Sequence, residues 1–232
     1  MEVTLKGLME PSTRTSTVIQ DMNAKALSQM EQGRNEDAVQ VLRQAVRDLG
    51  MWMPGYQEVM RSSSSRIKNS YVIHQHAVAL PQLCHDGHNI YNRAFLLPFS
   101  DEAISSVKYR TQVIAIILYN MALASHRHEI QSGKRQPLAH AAFAYIAVLD
   151  MVGPNAMDLF PEIAVLLLAI ISNLAQIHLE LRQMPEFVSA RSFLHELTCN
   201  IRLDQMSTQD FGFFSMQIFC FDRETTWYAP AA

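Results

Sequence analysis

The sequence predicts a mainly α fold, in which antiparallel helix pairs form an α-solenoid or bundle with room for a small β-hairpin. Three observations carry this. Apolar residues recur at i, i+3, i+4 and i+7 in several separate windows. Gly33, Gly50, Gly133, Pro137, Gly153 and Pro161 fall at the edges of those windows. One stretch, Tyr71 to Phe99, departs from the helical period and is broken by Pro81 and Asp86-Gly87.

Taken in order, Val18, Met22, Ala26, Leu27 and Met30 share one helical face, and Gly33 ends the pattern. Asn35 is positioned to cap a second helix whose stripe is Ala38, Val41, Leu42, Ala45, Val46 and Leu49, with Gly50 just past its end. Met51 to Ser70 reads as a connection. Its tract Ser62 to Ser65, between Arg61 and Arg66, fits a flexible linker better than a kinase target. Tyr71–Leu83 and His88–Phe99 are expected to form a hairpin or extended excursion packed on the helices.

Ser100-Asp101 then opens a long helix to about Glu129, and Pro137 opens another through Leu149. A helix from Pro161 through Leu181 is apolar nearly all round from Ile163 to Ile171, which places it centrally in the core. Met184-Pro185 reads as a turn before a helix from Glu186 to Ile201. Asp210 is expected to cap a last helix bearing Phe211, Phe214, Ile218 and Phe221, with coil from Thr225. The whole reads as one domain, 1–232. Within it, 1–15 is a flexible N-terminus, 16–50 the first helix pair, 51–100 linker and hairpin, 101–222 the later pairs and 223–232 a tail.

Composition narrows the function classes. The net charge is −3, so nothing in the total favours a polyanion. The densest basic stretch, Arg127, Lys134 and Arg135 beside His126 and His128, reads as a solvated inter-helix loop. Charged residues are only 18% of the chain, which leaves apolar surface for a partner. Cys84, Cys199 and Cys220 are odd in number and widely spaced, which fits a reducing intracellular compartment, cytoplasmic or nuclear. Met1 to Gln20 shows no secretory signal, and Ile163 to Ile171 falls short of the roughly 20 apolar residues of a membrane span.

An Asn-x-Ala core recurs in Tyr91-Asn92-Arg93-Ala94, Tyr119-Asn120-Met121-Ala122 and Ser172-Asn173-Leu174-Ala175. A small Ala at a helix crossing lets the antiparallel partner approach closely while a larger residue fills the adjacent space. On that logic Ala26 faces Leu42, Ala122 faces Tyr145 and Ala175 faces Leu194. The pattern resembles tetratricopeptide-repeat (TPR) helix pairs, best over Met22 to Leu49, where Ala26, Gly33, Ala38, Leu42 and Ala45 occupy the small and large positions. The resemblance implies a right-handed α-solenoid. It loosens later, since Ala122 and Ala175 lie well beyond the roughly 34-residue TPR spacing. From Ile90 to the C-terminal Ala229-Pro230-Ala231-Ala232 the chain also looks like a group of functionally uncharacterised diatom proteins with TPR-like segments.

Candidate chemistry is sparse. Cys84-His85-Asp86-Gly87-His88 gathers metal-ligand types, and His74 and His76 on the facing strand could complete a set, yet the spacing matches no standard zinc pattern and a polar turn explains it better. His126-Arg127-His128 is accounted for by the dipole at a helix C-terminus. His178 and His195 read as partly buried packing residues. No nucleophile elbow or phosphate-binding glycine motif is present. In TPR-like proteins the first helix of each pair lines the concave groove, where the resemblance lets Asn120 and Asn173 hold a peptide backbone; bonds from both amides to inter-helix backbone groups in the core explain them better, since buried amides are normally satisfied internally.

The chain is therefore expected to be a non-catalytic scaffold that binds another protein or peptide, with no cofactor, no nucleic acid and no membrane span, and with room for homo-oligomerisation. Its groove is expected at Tyr119, Asn120, Leu123, His126, Ser172, Asn173 and Gln176. The alternatives are a metal-dependent or other cryptic enzyme using the Cys84–His88 turn, and a helical-repeat RNA binder.

Overall fold

The computed structural model describes residues 13–49, 77–80, 90–97, 107–133, 136–152, 163–201 and 206–227. Those residues form seven helices packed as sequential antiparallel pairs, and one two-stranded antiparallel sheet. The helices are α1 (Thr13–Glu31), α2 (Asn35–Asp48), α3 (Val107–Ser132), α4 (Gln136–Val152), α5 (Ala164–Glu180), α6 (Met184–Asn200) and α7 (Thr208–Trp227). Strands β1 (Ala77–Ala79) and β2 (Arg93–Phe95) lie between α2 and α3 in sequence. No helix among the described residues is long and apolar enough to cross a membrane.

Each helix packs on the next, and the odd-numbered helices also touch one another in the series α1–α3, α3–α5 and α5–α7. The small and large residues of the expected crossings, Ala26 and Leu42, Ala122 and Tyr145, Ala175 and Leu194, are all fully buried. As expected, α5 is central: from Ile163 to Ile177 every residue except Val165 is buried. The core follows from this stacking, because each apolar stripe is covered by its sequence neighbours.

Two of the pair connections share one geometry. At residues 32–34 the Arg34 N–H donates to the Gln29 carbonyl (2.8 Å) and the Gly33 N–H to Met30 (3.1 Å), with Gly33 at φ +74°. At residues 181–183 the Gln183 N–H donates to His178 (2.8 Å) and the Arg182 N–H to Leu179 (3.1 Å), with Arg182 at φ 58°. Both are Schellman ends, which place one residue in the left-handed region that suits glycine. Arg182→Gly is therefore expected to stabilise the protein by about 0.5–1 kcal/mol by removing the Cβ strain. Urea denaturation checks it, as a higher midpoint at unchanged slope.

Several local expectations are corrected. Asn35 is not a cap: it is 1% exposed, donates to Gln131 Oε1 (2.7 Å) and accepts from the Arg127 guanidinium, tying α2 to α3. Pro185 lies in the first turn of α6, where its missing N–H costs nothing, so the turn is Leu181–Gln183. The cap of α7 is Ser207, whose Oγ accepts from the Asp210 N–H (3.1 Å) and donates to Asp210 Oδ2 (2.5 Å). That helix continues through Trp227 instead of giving way to coil at Thr225. His195 is exposed on α6 rather than packed.

Arg127 is the largest correction. It sits inside α3 and is 1% exposed, not in a solvated loop, and α3 runs on to Ser132 beyond His126-Arg127-His128. Its guanidinium donates to Asn35 Oδ1 (3.2 Å), to the Met30 carbonyl (3.5 Å) and to Asn92 Oδ1. Burial lowers its pKa to about 10.

Candidate binding groove

The face shared by the odd-numbered helices carries an extended segment of the same chain. β1 and β2 pair in the register Ala77↔Phe95, Val78↔Ala94, Ala79↔Arg93, and the Leu80 N–H donates to the Asn92 carbonyl (3.1 Å). Backbone groups along an antiparallel strand point alternately to opposite edges. Residues 92 and 94 thus serve β1, and residues 91, 93 and 95 turn their peptide groups toward the helices.

Side chains meet them there. Asn173 of α5 accepts from the Tyr91 N–H (2.7 Å) and donates to the Tyr91 carbonyl (3.3 Å) and to the Tyr145 hydroxyl (3.0 Å). Asn120 of α3 treats Phe95 the same way, accepting from its N–H (2.9 Å) and donating to its carbonyl (2.7 Å). Asn23 of α1 donates to the same carbonyl (3.1 Å), while Asn120 donates to Asn23 Oδ1 (2.9 Å). Between the two clamps the Tyr119 hydroxyl reaches the Arg93 carbonyl (3.1 Å) and the Tyr91 carbonyl (3.3 Å). A side-chain amide carries a donor and an acceptor in one plane, as a peptide group does. The amides therefore stand in for a neighbouring strand.

Asp210 of α7 completes the row. Its Oδ1 accepts from the Tyr91 hydroxyl (2.7 Å) and from the Arg93 guanidinium (2.6 Å). The Tyr91 ring lies 5.0 Å from Phe214, stacked, and 5.3 Å from Phe213, edge-on, while Phe95 meets Tyr119 edge-on at 5.1 Å. Aromatic pairs of this kind contribute about 0.5–1.5 kcal/mol beyond their buried area.

Burial pushes the phenols of Tyr91, Tyr119 and Tyr145 well above their usual range, and the Asp210 charge adds to the effect at Tyr91. Near neutrality all three stay protonated. The site thus consists of neutral donors and acceptors around one carboxylate, a chemistry suited to holding a backbone.

Of the residues expected to line a groove, Tyr119, Asn120 and Asn173 hold the strand directly. Leu123, His126, Ser172 and Gln176 are buried, and Gln176 bonds Glu180 at 3.1 Å within α5. Asn23, Asp210 and the gripped residues Tyr91, Arg93 and Phe95 were not expected as site residues. An Asn breaking the apolar stripe of α1, as Asn120 and Asn173 do in α3 and α5, was the readable signal. The Cys84–His88 turn and its proposed companions His74 and His76 lie outside the described residues. Among the described residues, no group of three or more His, Cys, Asp or Glu is placed to hold a metal ion.

The chain matches no protein-family model, no curated protein and no solved structure.

Proposed function

We propose that the chain is a protein-interaction scaffold of TPR-like, right-handed α-solenoid type whose odd-helix face holds an extended polypeptide. One observation carries the reading: Asn173 and Asn120 each grip both backbone groups of a single strand residue, independently of that residue's side chain. A face that binds backbone in this way is suited to an extended protein ligand. The serial contacts α1–α3, α3–α5 and α5–α7 support the repeat character, since every odd helix adds at least one polar side chain to the same row. A non-catalytic role belongs to the same proposal, as does a reducing intracellular setting, cytoplasmic or nuclear, which the widely spaced Cys84, Cys199 and Cys220 support.

The test is to pan a random peptide display library on the full-length protein and on its Tyr91→Ala/Phe95→Ala variant, in which the native strand is held less tightly, and map each enriched peptide by hydrogen exchange. The proposal expects enriched peptides whose footprint falls on α3, α5 and residues 90–97. Peptides that protect α2, α4 and α6 instead, or a library that yields no binder, overturn it.

A further inference from the structure

The groove is already filled, and what fills it defines what else fits. We infer that residues 90–97 are a built-in occupant that holds the site against a partner segment of the same chemistry: an extended peptide with an aromatic residue, an arginine two positions on and a second aromatic four positions on. The inference rests on the peptide-binding reading above and adds the ligand class and its control.

The contacts fall into two kinds. Those of Asn173 with Tyr91, of Asn120 with Phe95 and of the Tyr119 hydroxyl with the Arg93 carbonyl touch only backbone, so they fix conformation without selecting sequence. The two clamped residues are four apart, which an extended chain spans in ~13 Å and a helix in only ~6 Å. A helical ligand cannot reach both clamps.

Selection comes from the side chains. Phe213 and Phe214 receive one aromatic ring, Tyr119 receives the other, and the Asp210 carboxylate between them takes the cation. Asp210 is 7% exposed and its carboxylate meets Arg93 at 2.6 Å, so a ligand without a central cation leaves that carboxylate facing the groove without its guanidinium partner.

The occupant is held by few elements besides the groove itself. Its strand partner β1 is three residues long, and Asn92, Arg93 and Leu96 remain partly or well exposed. Displacement therefore requires breaking one short ladder, the clamps and the Asn92 bond to the Arg127 guanidinium, and uncovering Tyr91, Ala94, Phe95 and Leu97, but not separating a helix pair. A tethered occupant competes at an effective concentration in the millimolar range, so a free ligand gains access mainly when the tethered segment is weakened.

The probe is a fluorescein-labelled peptide with the sequence of residues 90–97, blocked at both ends, titrated by anisotropy into the full-length wild type and into a Tyr91→Ala/Phe95→Ala variant. The variant is expected to bind it at least about tenfold more tightly than wild type, because the tethered competitor is weakened. Exchanging Arg for Glu in the peptide is expected to weaken binding about tenfold or more. Equal binding to both proteins, or indifference to the Arg-to-Glu exchange, overturns the inference. If library-selected peptides footprint the groove while the 90–97 peptide does not compete with them, this inference fails and the peptide-binding reading stands; if nothing binds, both fail. Should the variant lose its helical circular dichroism, hydrogen exchange on wild type decides. Amides of residues 90–97 exchanging at least about tenfold faster than the interior amides of α3 and α5 support a displaceable segment. Exchange at the same rate as those helices overturns it.

Discussion

Replacing Asn173 by Ala is expected to lower stability by about 2–4 kcal/mol, because it strands the Tyr91 N–H, leaves the Tyr91 carbonyl with the Tyr119 hydroxyl alone and removes the donor to Tyr145, at about 1–3 kcal/mol for a buried group left unpaired. All three partners are buried and no solvent replaces the lost amide. A reverse change at an exposed polar position, such as Gln40→Ala on α2, should stay within about 0.5 kcal/mol. Asn173→Asp separates geometry from charge. It keeps an acceptor for the Tyr91 N–H but loses the donors and buries a carboxylate among them. The carboxyl of that variant should be raised in the folded state, so its stability is greatest in acid and falls as pH rises past the ordinary carboxylate range. Asn120→Ala should be comparably costly. The double change should cost less than the two single effects together, because both release the same strand. Urea denaturation of the four proteins measures the cycle.

The second large effect is alkaline. Tyr91, Tyr119 and Tyr145 ionise near pH 10 when unfolded but resist ionisation when folded, because burial disfavours the phenolate. Above pH 10 the folded state therefore holds more protons than the unfolded one, and stability falls with rising pH. Each tyrosine contributes a slope of about 1.4 kcal/mol per pH unit. Arg127 acts in the opposite sense, since its folded pKa of about 10 lies below its unfolded value and its burial is relieved on deprotonation. Three slopes against one leave a net loss of about 2.5–3 kcal/mol per pH unit above pH 10. Denaturation at half-unit steps from pH 8 to 11.5 should show a plateau followed by that decline. In Tyr145→Phe the decline should be shallower by about half. A profile flat to pH 11 would mean that the phenols are not buried as described.

Much of the helical frame was legible from local rules. The stripe Ala38, Leu42, Ala45 and Val46 marks α2, and Gly33 marks a left-handed turn that only its backbone geometry requires. The equivalent turn at Arg182 was missed because arginine gives no such signal, and Met184-Pro185 was the more conspicuous punctuation. Strands β1 and β2 were legible as extended and pair antiparallel, while the expected Asp86-Gly87 turn lies outside the described residues. What the excursion does was not legible. Its partners lie on four helices distant in sequence, and a hydrogen bond between Tyr91 and Asn173 has no local periodicity to betray it. Asn120 and Asn173 stood out as recurring amides, and the sequence favoured a backbone in the core over a backbone in a groove. The structure merges the two: the backbone they hold belongs to this chain and lies on the odd-helix face. Arg127 misled for a related reason, since charge beside two histidines suggests solvent until Asn35 and Asn92 are brought to it by the fold.

The most direct measurement of the central claim, that helix-borne amides hold the strand by its backbone, is residue-resolved hydrogen exchange on Tyr91 and Phe95. The rates are compared in wild type, Asn173→Ala and Asn120→Ala, each referenced to the Ile117 amide in the interior of α3 so that global destabilisation cancels. The account predicts that the Tyr91 amide accelerates relative to Ile117 in Asn173→Ala by about tenfold or more, and the Phe95 amide does so in Asn120→Ala, each following its own clamp. Relative rates that stay unchanged in both variants would contradict it and show that the strand is held by its side chains alone.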